Sequence, residues 1–259
     1  MIMNSQSDKS VPVDSYSRTA LVLAGSSELG ASIIDDLVNQ KYKVIFTWWK
    51  NEPRALNLLQ KHRGSIEAIR LDLSCEDSVT AFCKGLSTRY IKTTIYCAGI
   101  NPAALCDEIE ASMLTSISRV NFISATLIFN AIVKKMKAHK DAGTCLVYIS
   151  SVAAQKVSIG NSLYGATKLA MERYLSGVAF EMARFNVRTL SVSPGYIKTR
   201  MLDEYCEKKG ITLRDIEKKI PMRKMLNPQD VVNTIRCFTN NQIVTTGVTL
   251  TLGHGEGFI

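Results

Sequence analysis

The sequence predicts an α/β fold: a three-layer α/β/α sandwich around a doubly wound, mostly parallel sheet of seven strands. Three observations carry that expectation. Short apolar runs alternate with longer amphipathic segments, the pattern of βαβ units with right-handed crossovers. The runs are rich in Val, Ile and Leu throughout, as strands buried on both faces require. A small-residue turn, AGSSELG, joins the first run to the first amphipathic segment. The chain has 259 residues, 46% of them hydrophobic, enough for one domain with a sizeable core.

Taken in order, residues 19–23 read as the first strand and 32–40 as a helix with Ile33, Ile34, Leu37 and Val38 on one side. A strand at 43–48, a helix at 53–62, a strand at 66–71 and a helix at 75–86 follow. The fourth strand is 93–97, and helical stretches lie around Glu110 and over 120–138. Residues 144–150 form the fifth strand, 162–184 a long helix, 187–192 the sixth strand and 249–252 the seventh. Residues 1–18 lack a continuous apolar stretch and read as a flexible tail, not a signal peptide. Residues 19–259 read as a single domain. Within it, the charged segment 202–219 has little core pattern and reads as a small helical lid at about 200–222.

Composition narrows the function classes. The chain carries 32 basic and 23 acidic residues, a net charge of +9. The surplus is scattered, and Lys134, Lys135, Lys137 and Lys140 crowd a helix end, where cations suit the helix dipole. Nucleic-acid binding is therefore a poor inference. The cysteines, Cys75, Cys83, Cys97, Cys106, Cys145, Cys206 and Cys237, include no C-x-x-C pair, and the histidines lie far apart, so neither a disulfide framework nor a metal site is expected. Free thiols point to a reducing cytoplasm. Residues 120–133 come closest to the roughly 18-residue apolar run of a membrane span. Asn121, Ser124, Thr126 and Asn130 interrupt them, so a buried helix is the better reading.

The chemistry concentrates in SLYGATKLA. Tyr164 and Lys168, four apart on a helix, share one face. An ammonium beside a phenol eases its ionisation, and an ionisable phenol can give a proton to a carbonyl or take one from an alcohol. A phenol titrates near 10, and bringing it to about 7 requires roughly 4 kcal/mol. One ammonium about 4 Å away at an effective dielectric of about 20 supplies that much. Ser151 lies upstream at the end of an apolar strand, and Asn121 within an apolar helix, as a kink or part of a proton relay. The turn around Gly25, Ser26, Ser27, Leu29 and Gly30 suits a pyrophosphate at a helix N-terminus, or is a plain strand-to-helix turn. The second strand ends in Trp48-Trp49-Lys50, with no carboxylate before Glu52. Lys50, helped by the hydroxyls of Ser26 and Ser27, suits a 2′-phosphate, favouring NADP(H) over NAD(H). Asp72 is a candidate for an adenine amine or for a simple turn.

With these pieces in order, the chain resembles the short-chain dehydrogenase/reductase family over nearly everything from residue 19 to 259, most of all 3-oxoacyl-[acyl-carrier-protein] reductases. AGSSELG matches the family's glycine-rich turn, with Ala24 and Glu28 in two of its glycine places. Asp72-Leu73 matches its adenine-contacting pair, and Tyr96-Cys97-Ala98-Gly99 its N-N-A-G strand end. Asn121, Ser151, Tyr164 and Lys168 fall on its catalytic residues, and Pro194-Gly195 with Ile197 and Thr199 on the segment that holds the nicotinamide carboxamide. The segment 221–231, PMRKMLNPQDV, resembles the one after the lid, and Gly253-His254 depart from the family's terminal D/N-G. The resemblance implies a Rossmann-type sheet and a cofactor lined by the matched residues, with Trp49, Lys50 and Leu29 among them.

It also implies a mechanism. NADPH supplies hydride to a carbonyl, Tyr164 gives the proton, Ser151 holds the oxygen, Lys168 bonds the ribose and lowers the tyrosine's pKa, and Asn121 holds a water that links Lys168 to solvent. The expected substrate is a 3-oxoacyl thioester in fatty acid or polyketide biosynthesis, carried by an acidic acyl carrier protein. Arg119, Lys140, Arg173 and Arg184 are the candidate carrier contacts, and Met201, Leu202, Tyr205 and Ile211 the apolar lid. A free small ketone or alcohol, or a dinucleotide sensor without catalysis, are the alternatives. A homodimer or homotetramer through the two long helices is implied, with Leu127, Phe129, Leu175 and Phe180 compatible with contact or core.

Overall fold

The computed structural model describes residues 18–86, 89–136 and 143–258. Residues 1–17 of the expected tail, Lys137, Ala138, Lys140 and Ile259 lie outside them. Among the described residues the strands form one parallel sheet, in the order β3-β2-β1-β4-β5-β6-β7. They are β1 (Thr19–Leu23), β2 (Lys43–Trp48), β3 (Ile66–Arg70), β4 (Thr93–Tyr96), β5 (Thr144–Ile149), β6 (Val187–Pro194) and β7 (Val248–Leu252). The order reverses direction between β1 and β4, which opens a crevice beyond their C-terminal ends.

Each buried strand divides its side chains between two cores. Leu21 and Leu23 of β1 join Tyr96, Leu146 and Tyr148 on one face. Ala20 and Val22 join Ile95, Val147 and Ile149 on the other. This period of two explains why continuous apolar runs, not alternating ones, encode the sheet. Helices α1 (Glu28–Asn39) and α2 (Glu52–Lys61) cover the second face, and α3 (Glu76–Gly85) the first.

The first face also carries the helical rod α4 (Ala111–Ser118), a π-helical turn (Arg119–Ile123) and α5 (Ser124–Met136), and beside it the long helix α6 (Ser162–Met182). The stretch Ala111–Lys135 is long and apolar enough to cross a membrane, yet half of its most apolar window is buried in the fold, as a core helix would be. A 3₁₀ turn, Ala183–Phe185, finishes α6, and Asn186 leaves it with φ 56°.

The π turn has a visible cause. Widening a helix frees carbonyls from their ordinary ladder. Here two buried tyrosines answer them: the Tyr96 hydroxyl donates to the Val120 carbonyl at 2.5 Å, and the Tyr148 hydroxyl to the Asn121 carbonyl at 2.9 Å.

Two expectations change. The segment 202–219 does have a core pattern: α7 (Arg200–Lys209) and α8 (Leu213–Lys219) enclose a small cluster of Leu202, Cys206, Ile216, Ile220 and Met225. Its charged residues face outward and masked that pattern. A helix not expected from the sequence, α9 (Pro228–Thr239), buries Val231, Val232, Ile235 and Phe238 beside α1. Its signals were present: Asn227 and Asp230 form a capping box, and Pro228 stands at the first turn. Arg236 of α9 pairs with Asp36 of α1, and Asn240 donates to Gln40 at 2.8 Å.

The turn after β1 is strained. Ala24 holds φ +57°, a left-handed conformation that favours glycine, because its amide is fixed to Thr47 Oγ1 at 3.0 Å and the amide of Gly25 to the Thr47 carbonyl at 2.8 Å. Ala24→Gly should therefore raise the unfolding free energy by about 0.5–1 kcal/mol, read from urea denaturation. Tyr96→Phe should lower it by about 1–3 kcal/mol, since the Val120 carbonyl loses a buried donor.

Candidate active site

Because every strand is parallel, the C-terminal ends of β1, β4, β5 and β6 share one edge of the sheet. Each delivers part of a single site there. The turn 24–30 follows β1, Cys97–Gly99 follow β4, Ser151 follows β5, and Gly195 to Thr199 follow β6.

Ser151 takes an extended conformation, φ −162° and ψ 149°, and its hydroxyl oxygen accepts from the Ala153 amide at 3.2 Å. The short 3₁₀ turn Val152–Ala154 then meets α6. The helix can approach because residue 165 is glycine: a Cβ there would lie 2.3 Å from the Ala153 carbonyl oxygen. That close approach brings the Tyr164 hydroxyl into a hydrogen bond with Ser151. Sequence reasoning missed Gly165, which sits next to the tyrosine it positions.

Lys168 is 2% exposed. Its Nζ donates to the Ile149 carbonyl at 2.8 Å and lies 4.6 Å from the ring centre of Tyr148 and 5.6 Å from that of Tyr164. A Cβ at Gly99, on the chain after β4, would stand 3.0 Å from that ammonium and crowd it. Burial pulls the lysine down to about 7, and Cys97 and Glu172 push it back up. Burial lifts the Cys97 thiol to about 12, so at neutral pH it is protonated and Glu172 is the anion that counts.

The expected tuning of Tyr164 is not what this arrangement produces. Burial raises its phenol to about 12, and only the hydrogen bond from Ser151 works the other way. Lys168 stands 5.6 Å from the ring centre and is itself depressed by burial. The chain's own residues thus hold a protonated phenol, a proton donor at any physiological pH.

Asn121 is fully buried in the π turn. Its side chain accepts from the Ile100 amide at 2.9 Å and donates to the Ile100 carbonyl at 3.0 Å and to Thr167 Oγ1 at 3.1 Å. It clasps the chain after β4 to α6. Its backbone carbonyl already accepts from Tyr148 and has one lone pair left for the expected relay.

Two acids were missed. Glu172, one turn below Lys168, is bonded to Ser150 and Thr249 and accepts from Gln155 Nε2 at 2.7 Å. Burial raises its pKa, and these hydrogen bonds and Lys168 lower it. Glu256 is 2% exposed, and a Cβ at Gly195 or Gly253 would lie 2.4 or 2.6 Å from its carboxylate oxygens. Its carboxylate fills the space that a side chain at 253 would take, which explains the departure there. Among the described residues its Oε1 has no hydrogen-bond partner.

The dinucleotide residues fit the crevice in most respects. The N-terminus of α1 opens at Glu28 and presents first-turn amides beside β1. Ser26 is buried, and the Ser27 oxygen accepts from the Gly30 amide at 3.0 Å, which caps α1. A Cβ at Gly25 would meet Phe46 at 2.7 Å, and one at Gly30 the Ala24 carbonyl at 2.6 Å, so both glycines let helix and strand pack. Leu29 is buried in that same packing.

Lys50 is exposed, and Trp49 is covered by the Arg70 guanidinium 4.6 Å above its ring, a second cation that the sequence did not flag. Asp72 Oδ1 accepts from the amide and hydroxyl of Ser74, at 2.9 and 2.6 Å, which is the turn role. The Leu73 carbonyl accepts from Ser124 at 2.8 Å, and Ala98 is buried behind the crevice. Pro194 ends β6, the Gly195 amide donates to the Leu252 carbonyl at 2.8 Å, Ile197 bridges to Leu226, and Thr199 caps the start of α7.

Known proteins are similar to this chain in sequence and fold. Carbonyl reductase family member 4 from Xenopus laevis is 25% identical over 234 residues, covering 88% of this chain and 94% of that protein. Acetoacetyl-CoA reductase from an Acinetobacter species is 24% identical over 248 residues, covering 93% and 98%. The NADP-bound structure of ElxO superposes with a TM-score of 0.82 at 23% identity, covering 93% and 98% of the two chains, and shows the same fold. The short chain dehydrogenase family model matches residues 18–210, the span that runs from β1 through the Ser151–Tyr164–Lys168 cluster into the lid. The chain therefore belongs to the short-chain dehydrogenase family and is an NAD(P)-dependent oxidoreductase.

Proposed function

We propose that the chain reduces a carbonyl to a hydroxyl with NADPH, acting on a 3-oxoacyl thioester. The observation that carries this reading is Tyr164 bonded to Ser151 and set beside the buried Lys168. The dinucleotide, when bound, supplies the hydride. Gly25 to Gly30, Asp72 with Leu73, Cys97 to Gly99, and Gly195 to Thr199 would hold it. Lys50 and Arg70, at the ends of β2 and β3, favour a 2′-phosphate.

The chain's own residues do the rest. The Ser151 hydroxyl orients the substrate oxygen and stabilises the charge that develops on it. The Tyr164 hydroxyl gives its proton to that oxygen. A cationic Lys168, beside that ring, would bond the nicotinamide ribose.

The substrate class is supported by apolar side chains around the site. Val157 and Ile159, 97% and 88% exposed, stand on the loop between Ser151 and Tyr164, and Met201 opens the lid. Acetoacetyl-CoA reductase, a relative by sequence, is named for a 3-oxoacyl thioester. Of the expected carrier contacts, Arg119 is committed to Glu76 at 3.0 Å, Arg184 stacks on Phe185, and Lys140 lies outside the described residues; Arg173 remains. That favours a second reading, a free thioester or ketone needing no carrier. Rates on acetoacetyl-CoA and on the same acyl group attached to an acyl carrier protein separate the two: a carrier preference below about threefold would sink the carrier.

Assembly through α5 and α6 belongs to the same proposal. Phe180, 89% exposed, and Leu127 lie on that surface, whereas Phe129 and Leu175 are core residues.

Tyr164→Phe should lower turnover by about 10²–10⁴-fold with NADPH affinity within about twofold, measured by steady-state rates and a fluorescence titration. The pH profile follows from Lys168. Its cation is present below about 7 and is lost above, while Tyr164 stays protonated up to about 12. Reduction should therefore hold level on the acid side and decline as pH rises through the lysine's pKa. Glu172→Gln removes the anion that raises that pKa, so the break should move to lower pH. A break that moves upward, or stays fixed, contradicts the assignment.

A further inference from the structure

Glu28 stands in a place where the family turn carries glycine, and nothing in the chemistry above uses a carboxylate there. It is the first residue of α1. Its Oε2 accepts from the backbone amide of Arg200 at 2.8 Å, across 172 positions of chain. Its Oε1 faces the Arg54 guanidinium at 3.6 Å. The Arg200 side chain is turned elsewhere, to Glu204 at 3.0 Å. One carboxylate therefore ties together the small-residue turn, the first turn of α2 and the start of the lid.

Helix α7 needs such an acceptor. Its cap residue, Thr199, makes no side-chain capping hydrogen bond, and its hydroxyl lies 3.4 Å from the Ile197 carbonyl instead. The first amides of a helix have no partner within it. Glu28 answers one of them from the far side of the crevice.

We propose that Glu28 is a resident anion of the cofactor cleft: it holds the lid helix at the Arg200 amide, and the dinucleotide's pyrophosphate must displace it to seat. The inference rests on the dinucleotide reading of the crevice. A pyrophosphate at the first-turn amides of α1 would lie beside this carboxylate. Two anions that close repel, so the cofactor enters only as Glu28 swings out. Glu28 thus lowers cofactor affinity and makes the position of the lid depend on whether the cleft is filled. A plain surface ion pair predicts neither effect.

The test uses the full chain with NADPH as probe. Glu28→Gln keeps an acceptor and removes the charge; Glu28→Ala removes both. NADPH should bind Glu28→Gln about five- to tenfold tighter than wild type in a fluorescence titration, a difference of about 1–1.4 kcal/mol. Without NADPH, trypsin should cut the lid of Glu28→Ala, after Lys209 or Lys219, several-fold faster than that of wild type. Saturating NADPH should abolish the difference. Thermal melts of both variants within a few degrees of wild type show that the fold is intact. Glu28→Gln binding no tighter than wild type, or a lid in Glu28→Ala cut no faster, overturns the proposal alone. A wild-type chain that fails to bind NADPH overturns the dinucleotide reading as well.

Discussion

The site is organised around one buried ammonium. Lys168 lies almost wholly inside the protein, and a buried lysine charge is costly unless its surroundings answer it. One backbone carbonyl, the Tyr148 ring and the carboxylate below on α6 do so. The answer is partial, and the lysine's pKa falls to about 7. That places its charge in balance near neutral pH, where small changes in neighbours decide it. The requirement reaches outward: Gly99 after β4 leaves room, β5 presents its last carbonyl, and α6 lies close against both.

The close approach of α6 is itself a packing result. Gly165 lets the helix meet the turn that carries Ser151, and Asn121 clasps the chain after β4 to Thr167 on the same helix. The π turn that carries Asn121 is held by the Tyr96 and Tyr148 hydroxyls, whose rings stack in the core below, 5.8 Å apart. Core packing and site geometry are therefore one structure. The aromatic pair fills space under the sheet and fixes the backbone that positions the asparagine.

Opposite this rigid half, the cofactor half is joined by exposed polar contacts. The Glu28 link between α1 and α7 and the Arg70 guanidinium over Trp49 are examples. Such contacts exchange readily with water and with a charged ligand.

The sequence by itself determined the layers and the strands, and singled out Ser151, Tyr164 and Lys168 as candidates, because apolar periodicity and helix spacing are local properties. It also carried the signals of α9 in Asn227, Pro228 and Asp230. Only the tertiary structure decided the electrostatics. Whether Lys168 tunes Tyr164 or is itself depressed depends on desolvation, which is set by which residues from β4, β5 and α6 close over the ammonium. The same holds for Glu172 and Glu256, whose roles arise from contacts with Ser150, Gly195 and Gly253 brought together by the parallel sheet. No spacing along the chain encodes such contacts, because they join residues whose separation in sequence is arbitrary and whose proximity exists only once the strands are in register.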